Sequence, residues 1–503
     1  METFRLLLDG FGVAVQPLNL AVAAAGVLVG QLIGVLPGIG PASTIAILLP
    51  VTVTLNPTAA MIMFVGVYYG AMYGGTITSV LMAIPGESAS VMTTLDGYQM
   101  ALQGRAGAAL GIAAFGSFIA GTLGVVALMF LAPTLARFAL AFGPPEYATL
   151  LILSFSLVVY LPGGSRAKAA VSTLLGLGLA VVGVDLISGL PRFTFGQLKL
   201  LSGVEFVPVA VGLFGLAEVL THLRSGRAAT VVRADLSFRG VLPTAADWIA
   251  SRWAIVRGGV IGFLVGVLPG TGATSASMIT YAVEKRVSPH PERFGRGAIE
   301  GVAAPESANN AAAVGALVPL LTMGIPGSAT AAVMLGGLLM LGLRPGPLLF
   351  QQQPQFVWGV IASMYVGNLL LVLLNVAAIP VFVRVLRVPR AVLLPSIVAV
   401  AIVGVYSLEN SLFEVWLALI FGALGYAMQR LEYSPAPLVL ALVLGKTLEE
   451  SVRQSLLLSH GNLGIFVTRP LAATFLVLTA VLVLLPLVTR RRAPATVPAT
   501  SSP

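Results

Sequence analysis

The chain has no cysteine, which excludes disulfides, thiolate metal sites and cysteine nucleophiles. Charge is almost as scarce. Asp, Glu, Lys and Arg make up 9% of the 503 residues, where a soluble globular chain carries about 25%. With 57% apolar residues and a mean hydropathy of +0.97, a soluble globular fold is excluded. Histidine is limited to His222, His290 and His460, far apart and beside loops, so they form no metal or catalytic cluster. The apolar segments hold no grouping of acid, base and nucleophile, which disfavours a membrane-embedded enzyme. Gly445-Lys446-Thr447 resembles the end of a phosphate-binding loop, but Leu440 stands where its first glycine belongs. Met1 to Asp9 lacks the basic start and apolar stretch of a signal peptide.

What is present is hydrocarbon in long runs. Segments able to span a bilayer recur from Leu18 to Leu487. The 56 glycines and 32 prolines suit membrane helices, where neighbouring helices pair the backbone groups that a break sets free. The net charge of +9 sits in short loops, Arg224 to Arg257 and Arg384 to Arg390, and in the tail Arg490-Arg491-Arg492. That placement follows the positive-inside rule and does not describe a nucleic-acid surface.

Two motifs return in order. Gly34-Val35-Leu36-Pro37-Gly38-Ile39-Gly40 reappears as Gly266-Val267-Leu268-Pro269-Gly270-Thr271-Gly272. Ala83-Ile84-Pro85-Gly86 reappears as Gly324-Ile325-Pro326-Gly327. The spacing between motifs is slightly longer in the second half, which the polar insertion Val287 to Gly295 accounts for. Pro-Gly breaks at corresponding points of two apolar halves are the best sequence pointer to a transporter's binding site.

Charge at the ends of apolar runs gives a topology. Arg224 to Arg257 and Lys285 to Arg296 are both predicted to be cytoplasmic, yet one apolar stretch, Gly258 to Val283, lies between them. Broken at Pro269, its arms are about 12 residues each, about 18 Å at helical rise, short of about 30 Å of hydrocarbon. A re-entrant hairpin satisfies both facts; a single tilted span is the other option and leaves four basic residues outside. Tracing the remaining spans makes the two halves run in opposite directions. The expected fold is an all-α polytopic integral membrane protein with two inverted-topology repeats. Each repeat has Pro-Gly-broken re-entrant hairpin helices, and an extra span follows at the C-terminus. Residues 1–225 form the first repeat, 226–257 a basic cytoplasmic linker, 258–489 the second repeat with its final span, and 490–503 a disordered cytoplasmic tail.

A broken helix frees N–H and C=O groups that cost several kcal/mol each in hydrocarbon unless paired. Half-helix N-termini suit an anion, and the carbonyl ends suit a hard cation. Gly38, Gly40, Ser43, Thr44, Gly270, Gly272, Thr274 and Ser275 are therefore candidate substrate contacts; the alternative is simple kinks with Ser and Thr as caps. Asn309 and Asn310 join them as adjacent amides, with helix capping or helix–helix hydrogen bonding as the other reading. Pro85, Gly86, Glu87, Pro326 and Gly327 are candidate coupling-ion positions. Glu87 has two readings: an ion ligand or proton carrier at membrane depth, or an interfacial carboxylate favoured by a helix dipole. Glu306 is open to the same two. Tyr68, Tyr69 and Tyr73 have two readings, packing or interfacial anchoring first and lining of the path second.

The two Gly-Val-Leu-Pro-Gly motifs, Tyr69-Gly70-Ala71-Met72-Tyr73-Gly74-Gly75, Ala83 to Glu87, Ala304-Pro305-Glu306-Ser307-Ala308-Asn309-Asn310, Met323 to Ser328 and Leu444 to Glu450 together resemble one family. It is the large membrane subunit, TctA, of the bacterial tripartite tricarboxylate transporters, and the likeness covers roughly residues 15 to 490. The resemblance implies a multi-pass inner-membrane permease with a cytoplasmic C-terminus, importing organic carboxylates such as tricarboxylates or dicarboxylates. It implies no cofactor beyond a coupling Na+ or H+. The implied partners are a TctB-like small membrane subunit, a TctC-like periplasmic solute-binding protein and the lipid bilayer, with no nucleic acid. A self-sufficient carrier without a binding protein fits the repeat equally well.

Overall fold

The computed structural model describes residues 2–36, 39–161, 165–185, 188–224, 232, 237–385 and 390–489. Among these, eight helices are long and apolar enough to cross a membrane, and the chain is a polytopic helical membrane protein. The first half runs through α1 (Glu2–Ala14), α2 (Pro17–Val35), α3 (Pro41–Thr52), α4 (Pro57–Met82), α5 (Val91–Leu102), α6 (Ala106–Ala139), α7 (Pro144–Tyr160) and α8 (Arg166–Ala180). It closes with α9 (Phe206–Ala210), a π-helical turn (Val211–Leu216) and α10 (Ala217–Arg224). The second half begins with α11 (Phe238–Val241), α12 (Ala245–Val267), α13 (Gly272–Val287), α14 (Glu300–Gly315), α15 (Leu317–Met323) and α16 (Ala329–Met340). It continues through α17 (Leu349–Gln352), α18 (Pro354–Ala377), α19 (Ile379–Val385), α20 (Arg390–Glu409), α21 (Leu412–Arg430), α22 (Ala436–Leu458), α23 (Ile465–Thr468) and α24 (Pro470–Thr489). One small exception to helix is β1 (Gly183–Val184) paired antiparallel with β2 (Pro191–Arg192).

Contacts come in exchanged pairs. α2 packs on α4 as α12 packs on α14, and α3 meets α16 as α13 meets α5. Likewise α6 lies on α14 as α18 lies on α4, while α8 packs on α22 as α21 packs on the π-helical turn. The halves are built alike and interlock.

Apolar helices in hydrocarbon gain little by hiding apolar surface from each other, so small residues and close backbones must hold them. Gly26, Gly30 and Gly34 line one face of α2, and Gly66, Gly70 and Gly74 face them from α4. A Cβ on Gly30 would lie 2.3 Å from the Val67 carbonyl oxygen. The second half repeats this device, with Gly258, Gly262 and Gly266 of α12 against Ala304, Ala308 and Ala312 of α14. Polar clamps then join the halves: the amides of Gln31 and Asn375 exchange two hydrogen bonds of 2.9 Å.

Two elements differ from the sequence expectation. A capping box between Thr244 and Asp247 starts α12 early, so the helix before Pro269 is 23 residues long and itself long enough to cross a membrane, against an arm of about 12 expected from the apolar stretch. The polar turn stays helical because Arg257 holds Glu284 of α13 with bonds of 2.8 and 2.6 Å. The second is a pairing that the polar insertion after α13 gives no sign of. Asp96 of α5 accepts Tyr281 Oη at 2.7 Å and the amides of Gly295, Gly297 and Ala298 at 2.8, 2.9 and 2.8 Å.

Gly30→Val and Gly262→Val are each expected to lower stability by about 3 kcal/mol, since overpacking here meets backbone. Gly178→Val, where nothing lies within 4 Å of the new Cβ, is expected to be far milder. Unfolding in mixed micelles checks this; equal midpoints for the three variants would contradict it.

Candidate functional site

The second break of each half is built the same way. α4 ends on Ala83 with φ 55° and α15 ends on Gly324 with φ 70°, both left-handed. The left-handed residue turns the chain out of the helix, and proline two residues on cannot rejoin the hydrogen-bond ladder. The glycine after it seats on the carbonyl end of that half's broken helix. A Cβ on Gly86 would lie 2.1 Å from the Gly34 carbonyl oxygen, and one on Gly327 2.7 Å from that of Gly266. Gly270 N–H donates to the Gly327 carbonyl at 3.1 Å. The two breaks of a half thus form one unit.

Both units open on one cavity of about 860 Å³. Gly40 and Ser43 line it from the first tip, and Gly270, Gly272, Thr274 and Ser275 from its counterpart. Pro85, Gly86, Glu87 and Ser88 line it from one second break, and Ser328 and Thr330 from the other. Tyr68 of α4 completes the wall, with its hydroxyl 3.1 Å from Ser328 Oγ. Ser88 and Thr274 bridge the halves through hydroxyls 2.8 Å apart. The exposed Ser165, Glu432 and Ser434 mark a rim, together with Lys168 and Glu218.

Charge in this cavity is sparse. Glu87 is 6% exposed; its Oε2 accepts the Ala89 amide at 2.7 Å, and its Oε1 has no hydrogen-bond partner. Lys168 is the one Lys or Arg among the described lining residues. It is held at the rim by Glu432 at 3.3 Å and the Leu431 carbonyl at 2.7 Å. Glu87 therefore caps the short 3-10 turn Ser88–Ser90 ahead of α5 and is a buried group lining the cavity.

Other predicted residues sit elsewhere. Gly38, with Pro37, lies outside the described residues. Thr44 turns its hydroxyl back to the Gly40 carbonyl at 3.0 Å. Pro326 and Gly327 are buried behind the wall that Ser328 forms. Asn309 and Asn310 do not line the cavity. Asn310 donates to Ser117 Oγ at 2.8 Å and Asn309 Oδ1 at 2.7 Å, and Asn309 donates to Glu306 at 3.2 Å. Glu306, 0% exposed, also accepts from Thr76 at 2.7 Å and from Thr93. This fully paired network ties α14 to α4, α5 and α6. Ser328, Thr330 and Lys168 escape a sequence reading, although the hydroxyls follow Pro326-Gly327 much as Ser43 follows the first tip.

The family model for the tripartite tricarboxylate transporter TctA family matches residues 20–440. An Agrobacterium vitis relative, described as an uncharacterized 52.8 kDa protein in the TAR-I ttuC′ 3′ region, is 46% identical over 497 residues, covering 98% of each chain. A second protein of that organism, described as an uncharacterized protein in the TAR-II ttuC′ 3′ region, is 48% identical over 226 residues, covering 45% of this chain and 93% of its own. No solved structure matches.

Because a left-handed alanine costs about 1 kcal/mol, Ala83→Gly is expected to raise stability by about that amount. Gly324→Ala is expected to lower it by more, since the added Cβ would also lie 2.8 Å from the Pro345 carbonyl oxygen. Paired unfolding measurements check the signs; a loss in Ala83→Gly would contradict the left-handed cap.

Proposed function

The chain belongs to the tripartite tricarboxylate transporter TctA family, and from that premise we propose that it imports an organic carboxylate by symport with Na+ or H+. The observation that carries this reading is electrostatic. Where the breaks meet, the described cavity wall holds the acid Glu87 and no basic side chain except Lys168 at the rim, already paired with Glu432. A carboxylate there gains half-helix N–H groups and the hydroxyls of Ser43, Thr274, Ser275 and Thr330. It meets no fixed cation. An uncompensated charge at membrane depth is expensive, so a co-bound Na+ or proton supplies the missing positive charge.

The two halves are inverted repeats in this reading, with α2–α3 and α12–α13 as re-entrant hairpins, although their first arms α2 and α12 are long enough to cross. The second arm α3 has 12 residues, about 18 Å, too short to cross. α13 carries Lys285 and Arg286 in its last turn, which keeps that end at the cytoplasmic surface. The exchanged pairing of the halves supports a two-fold relation, as alternating access about a shared site requires. The same rule puts Arg105, Arg166, Lys168, Arg224, Arg430 and the tail in the cytoplasm of a bacterial inner-membrane protein. The cavity rim is then cytoplasmic, and the structure is inward-open. Substrate arrives from the opposite side, presented by a TctC-like periplasmic binding protein, with a TctB-like small subunit as the third component; the word tripartite in the family description supports that count.

Proteoliposomes bearing this chain with both partner components test the reading. Citrate, succinate or a related acid is expected to accumulate only with an inward Na+ or proton gradient. For one cation per substrate, a tenfold gradient supports about tenfold accumulation, or 1.4 kcal/mol. Equal uptake with and without either gradient would contradict the coupling.

A further inference from the structure

Duplication makes the breaks comparable position by position, and at two positions the halves differ in the same sense. After the second Pro-Gly, the first half carries Glu87 and the second half Ser328. Glu87 Oε2 accepts from the Ala89 amide at 2.7 Å, in the short 3-10 turn Ser88–Ser90 that precedes α5, and Ser328 Oγ caps α16 by accepting from the Ala331 amide at 3.1 Å. At the first break, Ile39 stands where the second half has Thr271. The Thr271 hydroxyl donates to the carbonyls of Val265 and Leu268 at the end of α12. Ile39 has no hydroxyl to offer the end of α2. The second half therefore covers its carbonyl end and caps with a neutral group. Among the described residues the first half has no such hydroxyl, and it adds a carboxylate. Both differences make the first half the more negative.

Glu87 adds an independent pointer. It is 6% exposed, lines the cavity, and has an Oε1 with no partner. A buried carboxylate oxygen is stable there when a positive species meets it. Its fixed negative charge, buried on the cavity wall ahead of α5, also disfavours a substrate anion on that side. The first turns of α13 and α16 carry no acid and present Thr274, Ser275 and Thr330 to the same cavity.

We propose that the duplicated breaks are chemically unequal: Glu87 of the first half takes the coupling cation, and the second-half breaks take a carboxylate of the substrate. This rests on the symport reading above. The two bound charges then neutralise each other across one cavity, so each binds better in the other's presence.

Binding of radiolabelled citrate and succinate to the full chain in nanodiscs, titrated against Na+ at fixed pH and against pH without Na+, tests the assignment. In the wild type, affinity is expected to rise about tenfold per tenfold rise in the coupling ion below its saturation; the arm that responds identifies Na+ or the proton. Glu87→Gln is expected to flatten that slope. Thr330→Val and Ser275→Ala are expected to weaken binding at every ion concentration while the slope persists. Glu87→Asp, which keeps the charge, is expected to keep a slope shifted to higher ion concentration and shows that the site still folds. A persisting slope in Glu87→Gln, or a slope lost in Thr330→Val, would overturn the assignment. A wild type that binds citrate or succinate with no slope in either arm would instead remove the symport reading itself.

Discussion

Everything in this molecule answers to the backbone groups that a broken helix leaves unpaired in an apolar surrounding. A continuous helix pairs its own amides; each Pro-Gly break strands several, and hydrocarbon offers them nothing. The structure meets this demand in two ways. Some groups are paired across the breaks, as Gly270 N–H is with the Gly327 carbonyl and Thr271 is with the end of α12. Others face a cavity. The glycines are required because carbonyl oxygens approach where side chains would otherwise start, as the Gly34 carbonyl does at Gly86.

Holding such sites in place takes a stiff frame. α4 and the α14–α15 pair are buried almost throughout, and they meet α2 and α12 through glycine faces that leave no room for slack. Glu306 adds a polar pin, accepting from Thr76, Thr93 and Asn309 and so joining the halves. A buried polar network that is fully paired specifies one arrangement. Glu87, by contrast, lines the cavity and keeps a buried oxygen with no hydrogen-bond partner. One buried acid has its oxygens paired and the other does not.

How much of this can be read from sequence depends on how local the cause is. Proline and glycine act on their own neighbourhood, so the four breaks, the helical membrane character and the family are all legible from motifs. Serine and threonine are legible only in part. Ser43 and Thr44 are neighbours on α3, yet a turn of about 100° per residue points one at the cavity and the other back at Gly40. Asn309 and Asn310 have the chemistry of ligands, but Ser117 and Glu306 claim them. Asp96 carries no signal at all, because its partners lie about two hundred residues away and are mostly backbone amides. The length of α12 is misjudged from hydropathy because its polar first turns are held by the Thr244–Asp247 capping box and by the pairing of Arg257 with Glu284 of α13.

The central claim is that the breaks face a wet cavity that a carboxylate enters. The absence of cysteine makes it directly testable, since Ser43→Cys, Ser88→Cys, Thr274→Cys and Thr330→Cys would each carry the only thiol. The measurement is the rate at which a small hydrophilic thiol reagent modifies each variant in inside-out vesicles, with and without citrate or succinate and the coupling ion. The account predicts rapid modification at all four positions, slowed when acid and ion are present together. Thiols inert to the reagent in both vesicle orientations would contradict it.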